Sequence, residues 1–286
     1  MAMQIAVIVP AAGAGRRFAE AGCAPSPSGK NKLELDLVGR PVFMRSVEGF
    51  WKRPEVVQIL LAVDPDRLDE FNLKYGDRLA FHGVKAVSGG RAERWQTVLN
   101  ALRRVGEDCT HVAIHDAARP LVSHGLIDRV FEAAKHYGAV VPARPVSATL
   151  KRVTSEGGPV QGQVDPLDAI LGSVGKSQVE VSTVVETIDR NNLVEVQTPQ
   201  IFEAQLLRRA YDQITQETVE GSGITDDACL VEALGETVYV VDGEASNLKI
   251  TRPDDMDLAT AYLQVTEQTR EADLGRKRLF NDDDDE

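Results

Sequence analysis

The stretch that most constrains this chain is its start. A short apolar run, Ile5 to Val9, leads into Pro10-Ala11-Ala12-Gly13-Ala14-Gly15-Arg16-Arg17, with no bulky side chain until Phe18. The run is β-rich and one strand long. The small residues after it let backbone N–H groups approach a polyanion, and two arginines stand beside them. Strand, bare loop and cations together predict a triphosphate site at the carboxyl end of a first strand. The alternative is an ordinary glycine-rich strand-to-helix turn. Two familiar phosphate motifs are excluded. Gly15-Arg16-Arg17 lacks the Gly-Lys-Ser/Thr ending of a Walker A loop, and Phe18 stands where the dinucleotide fingerprint needs a third small residue.

Further apolar runs recur at Val56–Val63, Val84–Val87, His111–His115, Ala139–Ala143 and Thr237–Val241. Amphipathic helical patterns lie between them. One is lined by Val42, Phe43, Val47, Phe50 and Trp51, a second by Val98, Leu99, Leu102 and Val105, and a third by Leu126, Ile127, Val130, Phe131 and Ala134. Strands alternating with helices imply an α/β sandwich with a mostly parallel sheet, in which ligands bind beyond the carboxyl ends of the strands.

Two segments break the alternation. Gly22 to Asn31 is rich in Pro, Ser and Gly and reads as a loop. Residues 146–189 combine alternating Val179, Val181, Val184 and Val185 with the turn Gly157-Gly158-Pro159, and read as a β-rich arm. An exposed apolar arm is an aggregation hazard unless it pairs, and a second copy of the chain is the simplest partner. We therefore expect one domain over residues 1–266 that includes the arm, and a charged, disordered tail over 267–286.

The formal net charge of −12 argues against a general nucleic-acid or anionic-membrane binder. Part of it is local, since Asp282 to Glu286 are all acidic. A negative protein with an anionic substrate must gather its cations in the site. Cys23, Cys109 and Cys229 are odd in number and widely spaced, which disfavours a disulfide framework or a structural zinc site. No signal peptide is recognisable, and no window reaches the roughly 18 apolar residues of a membrane span. A reduced cytoplasm is the expected compartment.

Other clusters could do chemistry. His115-Asp116-Ala117-Ala118-Arg119-Pro120 follows a strand, which suits Asp116 for Mg²⁺ or, equally, for a turn or cap. Gly89-Gly90-Arg91-Ala92-Glu93-Arg94 offers a helix N-terminus to an anion, or is a plain turn whose arginines are solvated first-turn cations. Lys249, inside the run Asn247-Leu248-Lys249-Ile250, is costly to bury without an anion but could be a surface lysine. Thr187-Ile188-Asp189-Arg190 and Thr198-Pro199-Gln200 flank the return from the arm and by themselves say nothing.

Taken in order, PAAGAGRRF, NKLEL with GRPV, GGRAERWQTV, HDAARP, PVSATLKR, TIDRNNL, TPQIF, ITDDA and NLKITRPDD closely resemble the methylerythritol phosphate cytidylyltransferase family of non-mevalonate isoprenoid synthesis. The resemblance implies a Rossmann-like three-layer sandwich of the nucleotide-diphospho-sugar transferase type with a protruding β-arm. It implies transfer of CMP from CTP to a sugar-alcohol phosphate, with Mg²⁺ and an active homodimer. By the family pattern, Arg17 and Lys32 stabilise the transition state and Lys249 contacts the α-phosphate. Ala11, Ala12, Gly13, Gly15, Gly90, Thr97 and Ala117 bind CTP. Thr149, Arg190 and Thr198 bind the acceptor phosphate, and Asp116 holds the metal.

The chain also departs from that pattern. Lys32 lies fifteen residues after Arg17, a longer interval than is usual, although the register through Gly39-Arg40-Pro41-Val42 selects Lys32 over Lys30. Arg91 and Ser246 occupy positions that are often acidic, so Asp116 stands nearly alone as a metal carboxylate. Ser147-Ala148 replaces the usual Arg-Asp before Thr149, and the arm is longer. Two other readings stay open: a ribitol-5-phosphate cytidylyltransferase, and a non-catalytic nucleotide-binding module.

Overall fold

The structure is a computed structural model, and it describes residues 2–13, 31–154, 181–214 and 224–281. Gly15, Arg17, Lys30, Cys23, residues 22–30 of the expected loop, residues 155–180 of the expected arm and Asp282–Glu286 lie outside the described residues. The chain divides into two compact units. One comprises residues 1–144 and 196–286, the other residues 145–195.

The first unit is built on a sheet whose strands follow the apolar runs closely. They are β1 (Ile5–Pro10), then, after a separate antiparallel pair of β2 (Asp36–Leu37) and β3 (Arg40–Pro41), β4 (Val56–Val63), β5 (Val84–Ser88), β6 (His111–Ile114) and β7 (Ala139–Pro145). The helices of this stretch are α1 (Val42–Glu48), α2 (Leu68–Phe81), α3 (Arg94–Leu102) and α4 (His124–Ala134). The remaining strands are β8 (Leu150–Thr154), β9 (Thr183–Ile188), β10 (Val194–Val196), β11 (Gln200–Glu203) and β12 (Tyr239–Asp242). Among the described residues three further helices follow: α5 (Ala204–Asp212), α6 (Ala228–Ala233) and α7 (Pro253–Asn281).

The main sheet runs β7-β11-β6-β1-β4-β5, with β12 paired parallel to β7. Pairings β6–β1, β1–β4 and β4–β5 are parallel, while β11 is antiparallel to both of its neighbours. β1 is buried on both faces, which is why it reads as a continuous apolar run rather than an alternation. Its residues split by the two-residue period. Ile5, Val7 and Val9 join the core layer of α1, α2 and α4, whereas Ala6 and Ile8 join the layer of α3, α5 and α6. Each fully buried Val or Ile here contributes about 1.5–3 kcal/mol of transfer free energy.

The parallel order brings the carboxyl ends of β1, β5 and β6 to one rim of the sheet. Backbone bonds fasten that rim: Ala11 N donates to Ala62 O, Gly89 N to Val63 O and His115 N to Ile8 O.

Two features differ from the sequence reading. Helix α7 runs through Asn281, past residue 266 where the domain was expected to end. Glu, Gln, Arg, Ala, Leu and Lys dominate that stretch, and their intrinsic helix preference needs no apolar stripe. The diglycine does not itself open α3: the helix begins at Arg94, with the Glu93 carboxylate at the cap position and Gln96 Oε1 accepting from Glu93 N. The anion at that helix end is thus the protein's own.

The second unit contains the antiparallel pair β8–β9, with Leu150 opposite Ile188 and Thr154 opposite Thr183. Val153, Val184 and Val185 are exposed on it.

Candidate active site

Two small-residue loops meet at the rim. A Cβ on Gly89 would stand 2.9 Å from Val63 O, 2.9 Å from Thr97 Cγ2 and 3.0 Å from Ala12 Cβ. Glycine is therefore required for β5 to bring its loop against Ala12, which follows β1. Gly90 is equally crowded, with 2.6 Å to Gln96 Cβ, and its N–H donates to Thr97 Oγ1 at 3.1 Å. Ala11, Ala12, Gly13, Gly90 and Thr97, five of the six described members of the expected nucleotide set, lie on this rim or pack on it, and Ala117 lies beside Asp116. Gly13 O also accepts from Asn31 Nδ2, which joins the first loop to the segment that carries Lys32.

Lys32 opens a 3₁₀ turn, Lys32–Glu34, and its ammonium donates to Ile250 O at 2.9 Å. The turn is fixed by Glu34, a buried carboxylate held by Arg67 at 2.6 Å and Lys74 at 2.8 Å. Burial alone would raise the Glu34 carboxyl, but its bonds to Lys74 and Arg67 outweigh that and hold it below the ordinary carboxylate range.

Asp116, just beyond β6, lies at the centre of a cluster of cations. Its Oδ2 is 2.7 Å from Lys249 Nζ and 3.7 Å from Arg119 Nε, and its Oδ1 is 3.2 Å from Arg94 Nε. Burial pushes the carboxyl up, yet Arg94, Lys249 and Arg119 together hold it far below the usual range. Asp116 is therefore a fixed anion rather than a proton donor.

The backbone around it is tied by three motif segments. Ile250 N donates to Ala118 O, Arg119 Nη1 to Asn247 O at 2.7 Å, and Asn247 Nδ2 to Thr198 O at 2.8 Å. Ala117 is buried in the same turn, and its carbonyl accepts from Ser46 Oγ. Asp116 N donates to Thr198 Oγ1, and that oxygen lies 3.1 Å from His115 Nδ1. Since His115 Nε2 sits 3.0 Å from the Arg119 carbonyl, it must be the protonated nitrogen, so Nδ1 accepts the Thr198 proton. Burial lowers the His115 pKa to about 4, which keeps the ring neutral. The Thr198 hydroxyl thus accepts from Asp116 N and donates to His115 Nδ1.

Thr149 and Arg190, the other expected acceptor residues, are exposed members of the second unit, where Arg190 Nη1 donates to Ser147 O. Two functional candidates escaped the sequence reading. Arg94 is not a solvated first-turn cation: it bridges Asp116 and the fully buried Asp227, with Nη1 2.7 Å from Asp227 Oδ2. The available signal was that a cation in a first helical turn opposes the dipole and so calls for a carboxylate nearby. Arg91, by contrast, pairs with Asp66 at the surface. Asp227 carried no such signal.

The donor set fits a magnesium ion brought by its substrate. Among the described residues no group of three or more His, Cys, Asp and Glu side chains could enclose a metal. One strongly ionised carboxylate beside a rim of bare backbone suits Mg²⁺, which keeps waters and binds through one or two carboxylates plus substrate phosphates.

The sequence model of the family 2-C-methyl-D-erythritol 4-phosphate cytidylyltransferase (IspD) matches residues 5–166 and 170–265. Proteins of that name from Bacillus velezensis and Solibacter usitatus are each 34% identical to this chain. The alignments span 264 and 262 residues, covering 92% of this chain in both cases and 97% and 96% of the relatives. The crystal structure of the enzyme of that name from Thermus thermophilus superposes with a TM-score of 0.65 at 29% identity, covering 92% of this chain and all of that one. A 4-diphosphocytidyl-2C-methyl-D-erythritol synthase from Anaerococcus prevotii superposes at 0.66 with 25% identity and the same coverage. By the family model over most of its length and by relatives at 34% identity, the chain belongs to the 2-C-methyl-D-erythritol 4-phosphate cytidylyltransferase family.

Proposed function

We infer that this protein transfers CMP from CTP to 2-C-methyl-D-erythritol 4-phosphate, giving 4-diphosphocytidyl-2-C-methyl-D-erythritol and pyrophosphate in isoprenoid precursor synthesis. The observation that carries this reading is the Asp116–Lys249 contact at 2.7 Å beside the Ala12–Gly89 rim, in a chain matched by the family over most of its length.

The attacking atom is an oxygen of the acceptor phosphate, already ionised near neutral pH because a phosphomonoester's second pKa is about 6. It forms a bond to the α-phosphorus of CTP as the bond from that phosphorus to the bridging oxygen of the β-phosphate breaks. No general base is required. What the protein supplies is positioning and charge stabilisation. Lys32 and Arg17 offset charge developing on the phosphates, and Lys249 draws the α-phosphate and the incoming phosphate together. Asp116 would hold Mg²⁺, which when bound supplies neutralisation of the triphosphate charge. Gly90 and Thr97 shape the wall for base and ribose. Thr149, Arg190 and Thr198 bind the acceptor phosphate.

We further propose that the protein works as a homodimer through the 146–189 arm, supported by the exposed valines of β8 and β9. A cytoplasmic location fits the three unpatterned cysteines. No helix among the described residues is long and apolar enough to cross a membrane.

Pyrophosphate release measured with CTP and each acceptor tests the function. Turnover with methylerythritol phosphate at least tenfold above that with ribitol 5-phosphate is expected. The opposite preference assigns the chain to the ribitol reaction, and silence with both makes it a nucleotide-binding module.

A further inference from the structure

Behind Asp116 lies a chain of charges that the transfer reaction does not itself employ. Arg94 is the first residue of α3, where a cation opposes the helix dipole. Its side chain is nevertheless mostly buried, wedged between Asp116 and Asp227. Asp227 is fully buried at the start of α6. Its Oδ2 faces Arg94 Nη1, and its Oδ1 accepts from the buried Tyr211 hydroxyl of α5 at 2.6 Å. Taking a carboxylate wholly out of water is costly unless it is paired and hydrogen-bonded. Among the described residues only these two groups meet the Asp227 carboxylate, and one of them, Arg94, also contacts Asp116. Burial works against the Arg94 charge, but Asp227 and Asp116 outweigh it and keep the guanidinium protonated.

The two oxygens of Asp116 are treated differently. Oδ1 is held by Arg94, whose fork is anchored on Asp227 deep in the α5–α6 layer. Oδ2 is held by Lys249, which is about one-third exposed. One oxygen is thus tied to the core through Arg94, and the other faces the part-exposed Lys249 ammonium, with Arg119 Nε at 3.7 Å.

We propose that Arg94 is a positioning residue for the transfer, holding Asp116 in the orientation that the substrate phosphates require, and that Asp227, anchored by Tyr211, acts through Arg94. This rests on the assignment of Asp116 to the phosphate and metal site. Lysine cannot replace Arg94, because a single ammonium does not present the planar fork that reaches two carboxylates at once. The inference adds two residues, on α3 and at the start of α6, to the machinery of the reaction.

The test uses the full chain. Arg94→Ala would strand the Asp227 carboxylate and endanger the fold, so Arg94→Lys, Asp227→Asn and the double variant carry the experiment, each checked by thermal unfolding. Arg94→Lys is expected to lower kcat at least tenfold with KM for CTP within threefold and the unfolding midpoint within a few degrees. Asp227→Asn should lower kcat about tenfold in the parent but less than threefold in the Arg94→Lys background. Mn²⁺ binding to the CTP complex, followed by electron paramagnetic resonance, should weaken at least fivefold in Arg94→Lys. A kcat within threefold of the parent, multiplicative losses in the double variant, or unaltered Mn²⁺ binding would each overturn the proposal. A parent chain inactive with every acceptor sinks the functional reading instead, and Mn²⁺ binding then decides this one alone.

Discussion

Lys32 Nζ donates to the carbonyl of Ile250, the residue that follows Lys249. Two lysines 217 positions apart in the sequence are thereby docked onto one short segment, with Asp116 bound to the second of them. If both lysines act on the phosphates, Lys32→Ala should lower kcat by about 10²–10³, the usual cost of one preorganised charge-stabilising donor. The fold should survive, since the Ile250 carbonyl that the ammonium leaves lies at a partly buried site that water can reach. Steady-state kinetics beside a thermal melt checks both halves. Turnover within threefold of the parent would remove Lys32 from the mechanism.

Asp116→Asn keeps the shape of the side chain and discards its charge. Arg94 retains Asp227, but Lys249 loses the carboxylate that pairs with it among the described residues. Loss of a charge-assisted contact of this kind costs about 1.5–3 kcal/mol of stability. Activity should fall further than stability does, by at least about 10²-fold, because the asparagine is a far poorer ligand for a hard cation. Raising Mg²⁺ should restore part of the rate. A variant whose rate is low and indifferent to Mg²⁺ would assign Asp116 to lysine placement alone.

The place of Asp116 just beyond β6 was legible in the sequence, and so was most of the sheet, whereas Lys249 stayed open between a surface lysine and one paired with an anion. β4 has the bounds its apolar run predicted, and β1 differs by one residue. Such runs are local signals, read from burial on both faces. β11 was not legible as a strand. Its four residues, Gln200 to Glu203, are too few to show a period, and its antiparallel insertion between β6 and β7 is a long-range choice. The same holds for Arg94, Asp227 and Tyr211. Each looks ordinary in its own segment, and only the packing of α3, α5 and α6 on one face reveals the chain they make.

Gly89→Ala tests the meeting of the two loops. The added methyl would press on Val63 O and Thr97 Cγ2 at 2.9 Å and on Ala12 Cβ at 3.0 Å, and a backbone oxygen inside a sheet cannot retreat cheaply. Overpacking of this type costs about 1–3 kcal/mol, which lowers the melting midpoint by roughly 2–10 °C at this chain length. Because the clash parts Ala12 from Thr97, KM for CTP should rise more than kcat falls. A stable variant with unchanged KM would show that the rim is looser than its geometry implies.

Glu34 gives a pH signature. Its folded carboxyl sits below the ordinary value of 4.5, because Lys74 and Arg67 overcome the effect of burial. The unfolded chain therefore binds more protons than the folded one at and below that pH, so stability drops as pH falls through this window and is flat above it. Glu34→Gln cannot titrate and should lose about 1.5–3 kcal/mol near neutrality, the worth of hydrogen bonds to charged groups. The gap in melting midpoint between parent and variant should be full at about pH 7 and should shrink steadily below about pH 4.5, as the parent takes up the proton its salt bridges had excluded. A gap that stays constant down to about pH 3 would mean that Arg67 and Lys74 hold Glu34 by shape and not by charge. Lys32 shares the turn, so the same variant should lower kcat at neutral pH while the protein remains folded.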